Sequence, residues 1–304
     1  MRIAWSGRHT PYAYMFMRAF PEVQFTVDKW DKIFRPLPPN ATWEPWSGVY
    51  DALVTDHWDL FPMGNVDAKR TVFIDHNEYG HGLNAADAVL EKVDAFVSVS
   101  EHKMWTHREL CFSPKMHWVW FCFDEAMFPP RRYELPTRVG FVHNGLHGEQ
   151  AIIANAILWG HDAIGIGHHN SAFMGKFSSP EGLDALLEET RSLAVGINIV
   201  NGDSCGMSPM EMMAQGIPVV FGASLDLPRF LFSGLNCFIT RNRATDSLQE
   251  MREYVNRLVN DPDLNRRMGE MARKTVLREL SVDKFRAAWS AVLQYAPEMP
   301  NPPP

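Results

Sequence analysis

The residues best placed to do chemistry lie in Asn201–Val220, NGDSCGMSPMEMMAQGIPVV. One carboxylate, Asp203, sits in a loop holding Gly202 and Gly206, and a second, Glu211, follows at the start of a short helix. Ser208 reads as the N-cap, Pro209 as the first helical residue and Glu211 as the residue closing a capping box. Gly216 and Pro218 end the helix, and Val219, Val220 and Phe221 read as a strand. A glycine-bearing loop running into a helix leaves backbone N–H groups unpaired and turns the positive end of the helix dipole toward the loop. Phosphate binds at such a place, so the stretch reads first as part of a nucleotide site.

Other polar residues have weaker positions. His76 follows the apolar run RTVFI, at the strand end where open α/β sheets bind ligands. Asp56-His57 ends the neighbouring strand candidate. His168-His169 invites a metal reading, but no third ligand stands at a sensible spacing, and His143 with His147 is no better as a metal pair. Each has a structural reading beside the functional one. Glu211 caps a helix, Asp203 caps a turn, a lone histidine fills a core or faces water, and Lys176 is a solvated turn lysine.

The elements that must position these residues alternate between strand and helix. Arg2 to Ser6, Phe25 to Val27, Tyr50 to Thr55, Arg70 to Ile74, Ala95 to Val99 and His117 to Phe121 read as strands. Helices are predicted at Pro11 to Phe20, Ala85 to Lys92 and from Ser100 toward Leu110. The Pro- and aromatic-rich Phe34 to Trp46 reads as an ordered loop. Asp124 to Thr137, with its prolines and charges, reads as an inter-domain linker. The pattern then restarts, with strands at Arg138 to His143, Ala163 to Gly167, Val195 to Val200 and Asn236 to Thr240, and helices at Gln150 to Trp159 and Pro180 to Thr190. From Ala244 the chain is helical almost to a PNPPP tail. This alternation predicts an α/β protein with parallel sheets.

Composition excludes some classes. Lys and Arg number 29 against 36 Asp and Glu, a net charge of −7, and neither half is basic, so there is no electrostatic footprint for nucleic acid. The four cysteines form no CxxC pair, which argues against a disulfide framework or a cysteine-bound zinc. No apolar run reaches the length of a membrane span or a secretory h-region. A cytoplasmic chain is expected.

The residues resemble the retaining glycosyltransferases of GT-B architecture, family 4 (group 1). That family's signature, E-G-F-G-x-x-x-x-E-A-M-A-x-G-x-P-V-V, is similar to Asp203-Ser204-Cys205-Gly206, Glu211-Met212-Met213-Ala214 and Gly216-Ile217-Pro218-Val219-Val220. Seven residues separate the two acids in both. The likeness continues through Leu227-Pro228, Gly234-Leu235-Asn236, the helical LVNDPDLNRRMGEMARKTVLREL, FMGKFSSPEGLDALLEE, and VDAFVSVSEHKMW with CFDEAMFPP. It covers the chain from roughly Val93 onward. It implies two Rossmann-like domains facing across a cleft: a small acceptor-side domain over 1–130, a nucleotide-sugar domain over 138–280, and a C-terminal helix over 281–304 crossing back to the first.

The resemblance also implies the reaction and its residues. A sugar would pass from a nucleotide-sugar, UDP- or GDP-linked, to a glycan or glycolipid with retention at the anomeric carbon. No cofactor or bound metal is called for. Glu211 would bind the ribose hydroxyls and Asp203 the donor sugar, since carboxylates suit neutral hydroxyl donors. Amides around Cys205, Gly206, Met207 and Ser208 would meet sugar and diphosphate. His76 would stand against the donor sugar or serve as another polar group of the active site. The chain departs from the family in two ways. Asp203 replaces the usual Glu, one methylene shorter, and FVHNGLHGEQ lacks the Arg and Lys that clasp the diphosphate. His143, His147 and the loop amides, Lys176, or Arg8 after the first strand are the candidates to compensate, and Asn144 joins His143 as an expected donor contact. Two rival readings stay open: a virus-type transferase acting on modified DNA bases, and a non-catalytic binding module of the same fold.

Overall fold

The computed structural model describes residues 1–7, 9–28, 30, 35–56, 66–76, 89–100, 113–133, 138–143, 148–167, 173–199, 206–224 and 227–294. The chain forms two compact units. One comprises Met1–Asp31, Leu37–Cys122 and Val282–Pro304; the other comprises Lys32–Pro36 and Phe123–Ser281.

In the first unit, β1 (Arg2–Ser6), β2 (Gln24–Val27), β3 (Ala41–Trp43), β5 (Ala52–Thr55), β7 (Thr71–Asp75), β8 (Ala95–Ser98) and β9 (Met116–Trp118) make one sheet. Its order is β3-β2-β1-β5-β7-β8-β9, and every pairing is parallel. β4 (Val49–Tyr50) and β6 (Asp67–Ala68) form a separate small ladder. β5 and β8 are buried at every residue, the mark of a parallel strand covered on both faces. Chain order reverses between β1 and β5, which is the sheet's switch point.

Helix α1 (Thr10–Ala19) is apolar nearly all round, and eight of its ten residues are buried. A helix of that kind needs cover on two sides. The chain's last helix, Val282–Leu293, supplies one: Phe16 stacks edge-on to Trp289 at 4.5 Å, and Trp289 Nε1 donates to Tyr12 Oη at 3.1 Å. Arg286 donates to the Ala19 carbonyl and pairs with Glu22 at 2.6 Å. Asn40 Nδ2 closes the C-terminal end of α1 by donating to the carbonyls of Met17, Phe20 and Val23.

The second unit holds β10 (Arg138–His143), α2 (Gly148–Leu158), β11 (Ala163–Gly167), β12 (Lys176–Ser178), α3 (Leu183–Thr190), β13 (Leu193–Asn198), α4 (Met207–Ala214), β14 (Val219–Phe221), β15 (Phe238–Ile239), α5 (Leu248–Asn260) and α6 (Pro262–Glu279). Its parallel sheet runs β12-β11-β10-β13-β14-β15, with the switch between β10 and β13. Val139, Phe141, Ile157, Val195, Ile197, Val220, Met251, Val255 and Met268 share its core. The final helix, Val282–Leu293, is α7 and belongs to the first unit.

Three expectations change. The Phe34–Trp46 loop contains β3, whose Ala41 to Trp43 extend the sheet beyond β2. The expected turn around Lys176 is a short strand, β12, paired with β11. The Asp124–Thr137 linker is not free: Phe123 N–H donates to the Leu280 carbonyl, Arg131 N–H to the Gln215 carbonyl, and the Arg131 side chain to Asn265 and Ala194. The segment belongs to the second unit. The expected helix from Ser100 lies outside the described residues, as does most of Ala85 to Lys92.

Candidate functional site

The loop after β13 leaves the carboxyl end of a strand at the second sheet's switch point, where open α/β sheets bind ligands. It enters α4 through Gly206, whose φ of 68° lies in the left-handed region that glycine tolerates. Gly206 is the N-cap, and it has no side chain with which to cap the helix. This corrects the expected start: Ser208 is the second helical residue, Pro209 the third, and Glu211 falls beyond the first turn, outside any capping box. The N-cap residue therefore takes up none of the early amides of α4, in keeping with the anion-binding character of a helix end.

α4 is held rigidly. All of its residues except Ser208 are buried. It ends in a Schellman turn, with Ile217 N–H donating to the Met212 carbonyl at 3.0 Å and Gly216 N–H to the Met213 carbonyl at 2.9 Å. Gly216 takes φ +81°. Arg273 of α6 donates to the carbonyls of Ala214 and Phe128. Glu211 is only 6% exposed, and its Oε1 accepts from Arg35 Nη2 at 2.5 Å. Arg35, 2% exposed, groups with this unit although it lies far upstream in sequence. Sequence reasoning missed it. The Pro-rich run FRPLPP marked an ordered segment, but nothing in it named the carboxylate that Arg35 would meet.

A second polar cluster gathers in the first unit at the carboxyl ends of β1, β5 and β7. His76 follows β7, and its Nε2 lies 3.6 Å from Asp56 Oδ2, with side chains 8% and 7% exposed. His9, the N-cap of α1, donates its backbone N–H to the same Asp56 oxygen at 3.1 Å and accepts from Tyr12 N–H on Nδ1 at 3.3 Å. The His9 ring stacks on His76 at 4.5 Å, and Tyr12 meets His76 edge-on at 4.9 Å. Burial, and then His9, hold the His76 imidazole well below its ordinary range, against the opposing pull of Asp75. His76 is thus neutral at neutral pH. Its Nε2 and Trp5 Nε1 are buried without a hydrogen-bond partner. A Cβ at Gly7 would lie 2.8 Å from that Trp5 nitrogen and 3.1 Å from Asp56 Oδ2, so only glycine fits there.

The remaining expected residues fall as follows. Gly206, Met207, Ser208 and Glu211 come together at α4, and His143 ends β10, the strand beside β13. Lys176 does not join them. In the parallel register it pairs with Ile164, near the start of β11, so it occupies the opposite, amino-terminal edge of the sheet. There its Nζ pairs with Asp162 at 2.8 Å. Asp203, Cys205, Asn144 and Arg8 lie outside the described residues, as do His57, His147, His168 and His169. Among the described residues no group of three His, Cys, Asp or Glu could hold a metal ion, and no helix is long and apolar enough to cross a membrane.

With this geometry in place, the comparisons agree on the fold. Residues 150–289 match a family model described as glycosyl transferase-like. By sequence, no curated protein matches. Among solved structures, sucrose-phosphate synthase from Thermosynechococcus elongatus aligns with TM-score 0.68 at 13% identity, over 97% of this chain and 96% of that one. HepE of Anabaena, in complex with UDP-glucose, aligns with TM-score 0.69 at 12% identity, over 97% and 99%. A TarM variant of S. aureus, in complex with fondaparinux, alpha-GlcNAc-glycerol and UDP, aligns with TM-score 0.64 at 13% identity over 80% of this chain. The chain spans only 55% of that protein's length. The family match takes in 140 of the 304 residues, and over nearly its whole length the chain has the GT-B fold of these solved structures.

Proposed function

We propose that the chain is a retaining glycosyltransferase that transfers a sugar from a nucleotide-sugar to a hydroxyl of a glycan or glycolipid. The observation that supports this most is Glu211: a buried carboxylate on the helix entered from the switch-point loop, at the position where the resemblance puts the ribose-binding acid. On this reading Glu211 accepts from ribose hydroxyls, Asp203 from hydroxyls of the donor sugar, and the amides from Cys205 to Ser208 face the diphosphate. UDP is the first nucleotide to test, because UDP or UDP-glucose occupies TarM and HepE.

The acceptor oxygen forms its bond to the anomeric carbon on the face from which the bond to the phosphate oxygen breaks. The acceptor proton passes to that phosphate oxygen. Negative charge grows on the diphosphate as the bond breaks, so preorganised amides stabilise the transition state more than the ground state. His76, neutral and with an unpartnered buried nitrogen, is suited to hydrogen-bond a sugar hydroxyl.

The test is a panel of UDP-, GDP- and ADP-sugars, with binding followed by calorimetry and transfer or donor hydrolysis by mass spectrometry. Expected is binding of one nucleotide series with release of the nucleoside diphosphate. Binding of none would favour the second reading, a non-catalytic module. The absence of Arg and Lys from Phe141–Gln150 and the placement of Lys176 at the far sheet edge speak for that reading.

A further inference from the structure

The charge that balances Glu211 comes from an unexpected part of the chain. Arg35 opens the run Arg35-Pro36-Leu37-Pro38-Pro39. Arg35 and Pro36 group with the second unit, while the chain from Leu37 belongs to the first. Pro36 disfavours helical backbone at Arg35 and holds it extended, so the guanidinium is presented from a stiff stretch of chain. The ion pair is short, at 2.5 Å, with side chains 3% and 8% exposed. Removing two charges from water is repaid only where their geometry is close to ideal, and a planar guanidinium offers fixed donor directions that a lysine ammonium does not.

Two consequences follow. With Oε1 engaged by Arg35, the lone pairs left for a ligand are chiefly those of Oε2, so the pair fixes how the carboxylate is turned. Arg35 also brings no net positive charge to the site, because Glu211 neutralises it. It therefore does not replace the missing diphosphate clasp. We infer that Arg35 is a positioning residue for nucleotide recognition: it compensates the charge of Glu211 and aims its second oxygen at the ribose hydroxyls. This rests on the reading that Glu211 meets the ribose.

Titration calorimetry of the full chain with UDP and with 2′,3′-dideoxy-UDP tests it, using wild type, Arg35→Met, Arg35→Lys, Glu211→Gln and the Arg35→Met/Glu211→Gln double variant, with a thermal melt of each. Each single Met or Gln change is expected to weaken UDP about tenfold, the size of one charged hydrogen bond. The double variant is expected to bind no worse than either single one, and all effects are expected to shrink to about twofold or less with the dideoxy ligand. Arg35→Lys is expected to retain part of the affinity, and it carries the same ligand contrast if Arg35→Met does not fold. Equal losses for both ligands, or losses that add in the double variant, would make Arg35 merely structural and overturn the inference alone. If wild type binds GDP or ADP in place of UDP, the same contrast is run with that nucleotide and its dideoxy form; binding that Glu211→Gln leaves unchanged, or no binding of any of the three, would overturn the ribose reading and the inference with it.

Discussion

Gly269, midway along α6, lies against Gly216, the residue that turns the chain out of α4, so closely that a methyl added at Gly269 would collide with the Gly216 carbonyl oxygen. Helix α6 thus abuts the end of the helix that carries Glu211. One turn further along, Arg273 takes up the Ala214 carbonyl. Gly269→Ala is expected to cost about 1–3 kcal/mol, the usual penalty for overpacking. Urea denaturation measures this directly, and UDP affinity should fall alongside it. Unchanged stability would mean that the two backbones can separate freely.

Tyr12 is the buried polar link between α1, α7 and the residue that follows β9. Its hydroxyl accepts from Trp289 Nε1 and donates to the Val119 carbonyl at 3.3 Å. Burial raises the phenol well above its ordinary range, a shift the Trp289 hydrogen bond partly opposes, so the hydroxyl stays protonated and able to donate. Tyr12→Phe leaves both partners unsatisfied and is expected to cost about 1–3 kcal/mol. Trp289→Phe, which removes the other donor, should not add its full cost in a double-mutant cycle; full additivity would argue against the link.

His76 should make the first unit acid-sensitive. Its folded-state pKa is depressed below the ordinary 6.5 by burial and by His9. Between the depressed and the ordinary value the unfolded chain binds more protons, so stability is fully present above about pH 6.5 and is lost as pH falls below it. The slope from this one group is at most about 1.4 kcal/mol per pH unit. Denaturation between pH 5 and 7.5 should show a decline that His76→Gln flattens. A His76→Gln profile parallel to wild type would assign the acid sensitivity to other groups.

Lys176→Ala and Glu211→Ala should behave oppositely. Lys176 is largely exposed and paired only with Asp162 at the far sheet edge, so its loss is expected to change UDP affinity by about twofold or less. Glu211→Ala removes a buried carboxylate together with its ion pair to Arg35, and is expected to abolish most transfer while lowering the melting temperature. Were Lys176→Ala instead to abolish donor binding, the assignment of the site to the α4 end of the sheet would fail.

The alternating strand-helix plan and most of its strands are legible in the residues alone, because apolar runs and glycine or proline boundaries are local signals. The sequence also locates α4 by its breakers, Gly216 and Pro218. The start of α4 is not legible there, because Ser208, Pro209 and Glu211 satisfy a capping pattern locally, whereas Gly206 is the residue whose backbone makes the turn. Sequence does not say which edge of a sheet an edge-strand residue occupies; for Lys176 the register with Ile164 does. Phe34–Trp46 hid β3 because its prolines signal loops, and only pairing with β2 makes Ala41 to Trp43 a strand.

For Asn201–Val220 itself, the residue types and spacing gave the carboxylates and the loop. Tertiary structure decided what Glu211 meets. An ion pair between residues so far apart in the chain has no local signature, since its energy depends on burial and geometry that exist only once Arg35 is packed against α4.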